Sequence, residues 1–177
     1  FYHNQGNTKR RKILAFQDAY HGDTFGAMSL GAPSSFNAPF QDMLFEVEFL
    51  PSPQDTDACI AAMSAADESY AAFIFEPLIQ GAGGMKMYEA STLDTLIQLA
   101  REKGILCIAD EIMTGFGRTG KWFAMDYLAQ KPDIVCFSKG LTGGMMAMGL
   151  TLCSEQIFQS FLSDDRRKMM FHSHSFT

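Results

Sequence analysis

The chain has 177 residues, of which 47% are hydrophobic, and its formal net charge is −6. This length and composition suit one globular domain with a substantial core. The acidic balance argues against a nucleic-acid-binding protein, which needs clustered lysine and arginine; the basic run at 9–12 precedes an apolar segment and is interpreted as a solvated turn. No apolar stretch approaches the ~20 residues of a membrane helix.

Apolar runs and helical patterns alternate along the chain. Strands are predicted at 13–16, 44–50, 71–75, 105–109, 134–138 and 149–153, and helices at 24–30, 56–66, 91–103 and 154–162. We expect Asp23 or Thr24 to cap the first helix, Ser91 to cap the third, and Gly104 to end it. Continuously apolar strands that alternate with helices predict an α/β fold with a mostly parallel sheet covered by helices on both faces.

The cysteines bear on the cellular compartment. The chain has four of them, without the CxxC spacing of metal and redox sites. Three lie in apolar, strand-like runs: Cys107, Cys136 and Cys153. Buried and reduced thiols are therefore expected, and the amino-terminal end lacks the pattern of a signal peptide, so we expect a cytoplasmic protein.

Two residues whose side chains could take part in catalysis follow separate apolar strands. Asp110 follows the strand at 105–109, and Lys139 follows the strand at 134–138. Parallel sheets bind ligands at the carboxyl ends of their strands. An ion pair between the two residues is one interpretation. The other is a pyridoxal-phosphate (PLP) site, because that cofactor needs a lysine amine for a covalent bond and a carboxylate beside its pyridine nitrogen. The same lysine then acts as a general acid and base.

Two other patterns suggest different chemistry. Residues 115–120 match GxGxxG and, with Lys121, nearly match a P-loop. The match fails because Trp122 stands where a P-loop has the magnesium-binding hydroxyl, and because the acidic pair precedes the glycines. A second pattern, His172 and His174, lacks a third metal ligand, so loop or substrate contacts are the preferred interpretation and no metal is predicted.

Four motifs in this order resemble the class III aminotransferases of fold type I, and the likeness covers most of the chain. They are Ala-Tyr-His-Gly at 19–22, Phe-Glu-Pro-Leu-Ile-Gln-Gly at 75–81, Asp-Glu-Ile-Met-Thr-Gly-Phe-Gly-Arg-Thr-Gly at 110–120 and Ser-Lys-Gly-Leu-Thr-Gly-Gly at 138–144. The resemblance implies PLP as cofactor and a homodimer with shared active sites. It also implies that residues 1–177 are the central part of the large PLP-binding domain, with the small domain and both termini of the parent outside the given chain.

The resemblance implies a role for each matching residue. Lys139 would bond to the cofactor and act as the catalytic acid and base, and Asp110 would pair with the pyridine nitrogen. Tyr20 would cover one face of the cofactor ring and border the substrate, as an aromatic ring does well. Ile112 would pack on the opposite face. Glu76 falls on a glutamate that, in several members, gates an arginine for the substrate carboxylate.

The closing run 171–177 resembles the segment that crosses the dimer interface in this family. Ser175 falls on a hydroxyl that contacts the cofactor phosphate, with His174 beside it, and Ser173 falls on a substrate contact. The glycine-rich loop at 115–120 would shape the site rather than grip phosphate. The main phosphate-binding loop is expected upstream of the given chain, and the arginine for the substrate carboxylate downstream of it.

Within the family, the runs at 20–29, 80–88 and 141–145 are most similar to members of the biotin pathway. This likeness implies 8-amino-7-oxononanoate as amino acceptor, giving 7,8-diaminononanoate. S-adenosylmethionine, or lysine in some relatives, would be the donor. Met113 stands where many ω-amino-acid members carry glutamine, which suits an apolar substrate chain. A class III transaminase for ornithine, acetylornithine or 4-aminobutyrate stays open as the alternative, and no nucleic-acid or membrane partner is implied.

Overall fold

The computed structural model of the protein describes residues 1–172. The strands are β1 (Lys12–Phe16), β2 (Glu48–Leu50), β3 (Tyr70–Phe75), β4 (Ile79–Gln80), β5 (Lys86–Met87), β6 (Leu106–Asp110), β7 (Ile134–Phe137) and β8 (Leu150–Cys153). The α-helices are α1 (Phe25–Leu30), α2 (Thr56–Ala65), α3 (Ala90–Glu102) and α4 (Glu155–Gln159). Short 3-10 helices lie at Ala38–Met43, Ala124–Tyr127, Lys139–Thr142 and Arg166–Lys168.

The strands form a six-stranded sheet in the order β2-β1-β3-β6-β7-β8, and β4 and β5 form a separate hairpin. Every pairing in the large sheet is parallel except that of β7 with β8, which is antiparallel. The prediction of an α/β fold with a mostly parallel sheet flanked by helices is therefore confirmed.

The core lies between the sheet and the helices α2 and α3. One stripe of α3 is fully buried, with Leu93, Leu96, Ile97 and Ala100 at the spacing of one helical face. Each of its three larger side chains contributes about 1.5–3 kcal/mol by leaving water. Phe73 lies in the same buried cluster on β3. This layer holds the central strands rigidly, which fixes the positions of the residues at their ends.

Several predicted boundaries were wrong. The strand expected at 44–50 is reduced to Glu48–Leu50, because only these three residues pair with β1. The helix expected at 154–162 spans only Glu155–Gln159. Ser91 lies inside α3 rather than capping it. The N-cap is Glu89, because its carbonyl already accepts the Thr92 N–H at 3.2 Å. Gly104 follows the helix as predicted, with a left-handed φ of 68°.

The edge strand β8 departs from the expectation of a sheet covered on both faces. All four of its residues are exposed, because β8 has only β7 as a neighbour in the described part of the chain. Cys153 is therefore exposed and Cys136 is half-buried, whereas Cys107 is buried as predicted; all are free thiols. Within residues 1–172, no helix is both long and apolar enough to cross a bilayer.

Candidate active site

Four neighbouring parallel strands, β1, β3, β6 and β7, end at one edge of the sheet. Tyr20 lies just beyond β1, Glu76 follows β3 directly, Asp110 is the last residue of β6, and Lys139 lies just beyond β7. The strand register places Asp110 opposite Cys136. The fold thus brings polar residues from four separate segments to the edge where parallel sheets bind ligands.

Asp110 is a buried carboxylate held by two donors. Its Oδ2 accepts a hydrogen bond from Nδ1 of His21 at 2.8 Å, and its Oδ1 accepts one from the backbone N–H of Ile112 at 3.1 Å. Each carboxylate oxygen accepts up to two bonds, so acceptor capacity is left on both. The ion-pair partner of Asp110 in the described part of the chain is His21 and not Lys139, which disfavours the simple ion-pair interpretation.

His21 is a functional candidate that the sequence reasoning missed. It entered only as part of the motif at 19–22, because no periodicity links a residue after β1 to one at the end of β6. The usable signal is topological. A loop that leaves β1 passes the ends of its neighbours in a parallel sheet, so an imidazole there lies within reach of a strand-end carboxylate.

Glu76 is a second buried carboxylate at this edge. Its Oε1 accepts the backbone N–H of Tyr20 at 3.2 Å and its Oε2 accepts that of Gly81 at 2.8 Å. Burial raises the pKa of Glu76, the two backbone N–H groups and His21 oppose the rise, and Asp110 adds to it. Glu76 thereby fixes the backbone of Tyr20 and the turn at Gly81, and the gating role expected for it stays a prediction.

The Tyr20 side chain is 42% exposed, and it borders a cavity of about 290 Å³. Its hydroxyl donates to Oδ1 of Asp23 at 2.7 Å, and this bond is the main cause of a raised Tyr20 pKa. Asp23 therefore does not cap α1. The N-cap is Thr24, without a side-chain hydrogen bond to the helix. The exposed ring, held at both its backbone and its hydroxyl, presents an aromatic face to solvent.

Lys139 is exposed and has a left-handed backbone, with φ of 41°. Such a conformation costs a residue other than glycine about 1–3 kcal/mol and is concentrated at functional sites. The next residue, Gly140, lies so close to the ring of Phe116 that a Cβ there would stand 2.9 Å from it. Among the residues that the structure describes, no hydrogen bond or ion pair holds the Lys139 amine, so it is available to a ligand.

Glu111 anchors the loop that follows Asp110. It is fully buried, and it accepts hydrogen bonds from the backbone N–H groups of Ala124 at 3.1 Å and Met125 at 2.6 Å. The hydroxyl of Thr114 donates to the same carboxylate. The carboxylate thus ties the segment that follows the glycine-rich loop to the end of β6, a role for which no sequence pattern is a signal.

The same loop is unlike a P-loop. Nζ of Lys121 donates to the carbonyl of Asp126 at 2.8 Å and lies 4.2 Å from the ring centre of Tyr127. A P-loop lysine instead points to phosphate, beside a helix whose first N–H groups are free. Here the loop leads into the 3-10 helix Ala124–Tyr127, whose first two N–H groups bond to Glu111. These contacts disfavour the nucleotide-binding interpretation.

Three of the predicted site residues, Ser173, His174 and Ser175, lie outside the described residues. The structure does describe Ile112, which is half-buried beside Asp110. Within residues 1–172, no three histidine, cysteine, aspartate or glutamate side chains are grouped closely enough to bind a metal.

The chain is similar to known proteins over almost its whole length. The model of the family "Aminotransferase class-III" matches residues 1–176. An adenosylmethionine-8-amino-7-oxononanoate aminotransferase from Synechococcus elongatus is 48% identical over the whole chain, which covers 44% of that protein. One of the same name from Geobacter sulfurreducens is 37% identical, and the chain covers 43% of it. The chain thus spans less than half the length of these relatives.

Solved structures show the same relationship. The crystal structure of adenosylmethionine-8-amino-7-oxononanoate aminotransferase from Methanocaldococcus jannaschii superposes with a TM-score of 0.90 at 34% identity, over 99% of this chain and 42% of that one. A transaminase from the marine bacterium Virgibacillus superposes with a TM-score of 0.86 at 29% identity, over 99% of this chain and 41% of that one.

Proposed function

Because residues 1–176 match the family model, this chain belongs to the class III aminotransferases, and we propose that it carries the centre of a PLP-dependent transaminase site. The observation that carries the proposal is the placement of Asp110 and Lys139 at the carboxyl ends of the neighbouring strands β6 and β7. Asp110 is a buried carboxylate with acceptor capacity left, and Lys139 carries an exposed amine. A PLP site needs these two groups.

The residues at this edge fit the cofactor. When bound, PLP supplies an electron sink that stabilises negative charge on the α-carbon of the substrate. The carboxylate of Asp110 would accept a hydrogen bond from the pyridine nitrogen and stabilise its positive charge. Tyr20 and Ile112 would pack on the two faces of the ring. Nζ of Lys139 would hold the cofactor covalently and then carry a proton as general acid and base.

We extend this assignment to the end of the chain. The resemblance to the family supports His174 and Ser175 as contacts of the cofactor phosphate and Ser173 as a contact of the substrate, with Tyr20 and Lys139 as further substrate contacts. We also propose that residues 1–177 are the central part of the large PLP-binding domain. The enzyme would act as a homodimer with shared active sites, in the cytoplasm.

We propose 8-amino-7-oxononanoate as the amino acceptor and S-adenosylmethionine as the amino donor, in biotin biosynthesis. The names of several relatives that are 33–48% identical support this choice. Met113 supports it physically. It is half-buried, and its thioether packs so closely on Gly81 that a Cβ there would stand 2.3 Å from the sulfur. From this position beside the Glu76 turn, Met113 would give the site an apolar wall, which suits an aliphatic substrate chain.

The cofactor assignment is tested on the full-length protein by borohydride reduction followed by peptide mapping. We expect a single pyridoxyl-modified lysine at Lys139, lost in Lys139→Ala and kept in the matched variant Lys121→Ala. Modification of Lys121, or of any other lysine in place of Lys139, would overturn the assignment.

The substrate assignment has its own assay. We expect amino transfer from S-adenosylmethionine to 8-amino-7-oxononanoate to be at least about tenfold more efficient, as kcat/KM, than transfer from ornithine or 4-aminobutyrate to 2-oxoglutarate, a difference of about 1.4 kcal/mol. The reverse preference would assign the protein to the ω-amino-acid branch of the family while leaving the cofactor assignment intact.

A further inference from the structure

A buried histidine supports the carboxylate on which the proposed cofactor site depends. The side chains of His21 and Asp110 are 2% and 7% exposed, and Nδ1 of His21 lies 2.8 Å from Oδ2 of Asp110. The contact joins segments that are 89 residues apart in the chain. It therefore exists only in the folded sheet, and it crosses from the loop after β1 to the end of β6.

We propose that His21 is a positioning residue that holds the Asp110 carboxylate in one orientation and so keeps an acceptor lone pair available to the cofactor nitrogen. The proposal rests on the proposed function. The terminal torsion of an aspartate is broad, so a carboxylate held at one oxygen still rotates. Here the backbone N–H of Ile112 holds Oδ1 and His21 holds Oδ2, which fixes both ends.

The geometry also fixes the histidine tautomer. A carboxylate only accepts hydrogen bonds, so the proton of this contact belongs to Nδ1 of His21. The other ring nitrogen, Nε2, is buried and has no hydrogen-bond partner within the described residues. A buried polar atom without a partner destabilises the fold, and a leucine at position 21 would avoid that penalty. The contact with Asp110 is the one hydrogen bond that offsets this cost within the described residues.

Glu76 completes the electrostatic surroundings of this pair. Its carboxyl interacts favourably with His21 and unfavourably with Asp110, and its own two oxygens are occupied by backbone N–H groups. These two bonds hold the Glu76 carboxylate to the backbone of Tyr20 and Gly81, and Glu76 makes no hydrogen bond to Asp110 within residues 1–172. His21 is the only side-chain donor to that carboxylate within residues 1–172.

The test uses three variants of the full-length protein. His21→Asn places an amide N–H near the position of Nδ1 and keeps the donor. His21→Gln is the matched amide that lies one methylene further out, and His21→Leu removes the donor. Equilibrium titration with PLP should show affinity about 10- to 100-fold weaker for His21→Leu and His21→Gln, the effect of losing a hydrogen bond to a charged group. We expect His21→Asn to stay within about threefold of wild type.

Two further measurements separate positioning from folding. In the Asp110→Asn background, His21→Leu should change PLP affinity less than about threefold, because its partner is already altered. Nitrogen-15 NMR of the wild-type cofactor-free protein should show a proton on Nδ1 of His21. An unprotonated Nδ1 would overturn the proposal even where every variant fails to fold.

The outcomes distinguish the two proposals. Failure of the wild-type protein to bind PLP would overturn the proposed function. PLP binding by wild type together with equal affinity in all three His21 variants would overturn the role of His21 alone. Loss of affinity in His21→Leu with recovery in His21→Asn would support both.

Discussion

Truncation of Glu111 tests how the loop after β6 is held. The carboxylate is fully buried and accepts bonds from the backbone N–H groups of Ala124 and Met125 and from the hydroxyl of Thr114. In Glu111→Ala these donors lose their acceptor. The hydroxyl can rotate toward another acceptor, but the two backbone N–H groups cannot. The substitution should therefore destabilise the segment at Ala124 and Met125 rather than the strand β6 itself.

The magnitude follows from those two N–H groups. Each buried donor left without a partner costs about 1–3 kcal/mol, so the loss of both acceptors in Glu111→Ala should lower the free energy of unfolding by about 2–6 kcal/mol. Glu111→Gln keeps the size of the side chain and one acceptor oxygen. Its amide group then faces one of the N–H donors, which should cost about 1–3 kcal/mol. The free energy of unfolding should therefore fall from wild type to Glu111→Gln and further to Glu111→Ala. This order is expected if the carboxylate accepts hydrogen bonds from both backbone N–H groups.

The assay is urea denaturation of the full-length, cofactor-free protein, combined with native-state hydrogen exchange. We expect the amides of Ala124 and Met125 to lose protection in Glu111→Ala, because their local opening no longer breaks a buried bond. Glu46→Ala is the control, since Glu46 is an exposed glutamate and its loss should change stability by no more than about 0.5 kcal/mol. A loss below about 1 kcal/mol in Glu111→Ala, with both amides still protected, would refute the reasoning.

Three further predictions concern the rest of the fold. Gly83→Ala should destabilise the full-length protein by about 1–3 kcal/mol, because its Cβ would lie 2.5 Å from the carbonyl oxygen of Asp18; Gly26→Ala, in open space on α1, should be neutral or stabilising in the same urea titration. Burial, followed by a carboxylate hydrogen bond, raises the pKa of Tyr70 to about 12. The folded state therefore holds this proton more tightly than the unfolded state, and the resulting stability, present below pH of about 10, should be lost as pH rises toward 12, with a shallower loss in Tyr70→Phe. Burial also raises the pKa of Cys107 to about 12, so iodoacetamide should leave it unlabelled at pH of about 8 until urea unfolds the protein, and native labelling at the unfolded rate would contradict this.

The sequence allowed the central strands and their ends to be predicted because their signals are local. Each of the runs before Asp110 and Lys139 is continuously apolar and ends at a polar residue, which marks both the strand and its carboxyl end. The helix α3 was equally clear, since its buried residues repeat at helical spacing. These features need no knowledge of what lies opposite them.

The contacts that complete the site could not be predicted, because they join residues far apart in the chain. The bond from His21 to Asp110 spans 89 residues, and that from Tyr20 to Glu76 spans 56. Glu111 was expected only as a member of a motif. In the structure its carboxylate accepts hydrogen bonds from backbone N–H groups, and such donors leave no signature in the sequence. The exposed strand β8 was misjudged for a related reason, since an apolar run shows that a strand prefers burial but not whether anything covers it.

The two edges of the large sheet differ in their tendency to recruit another chain. At one edge, β2 has three residues and carries Glu48, a short and charged strand of the kind that discourages pairing between molecules. At the other edge, β8 presents Leu150 and Leu152 on a strand whose four residues are all exposed. Intermolecular strand addition in the described part of the chain should therefore begin at β8. Recombinant production of residues 1–177 by themselves calls for a charged substitution there as a guard against aggregation.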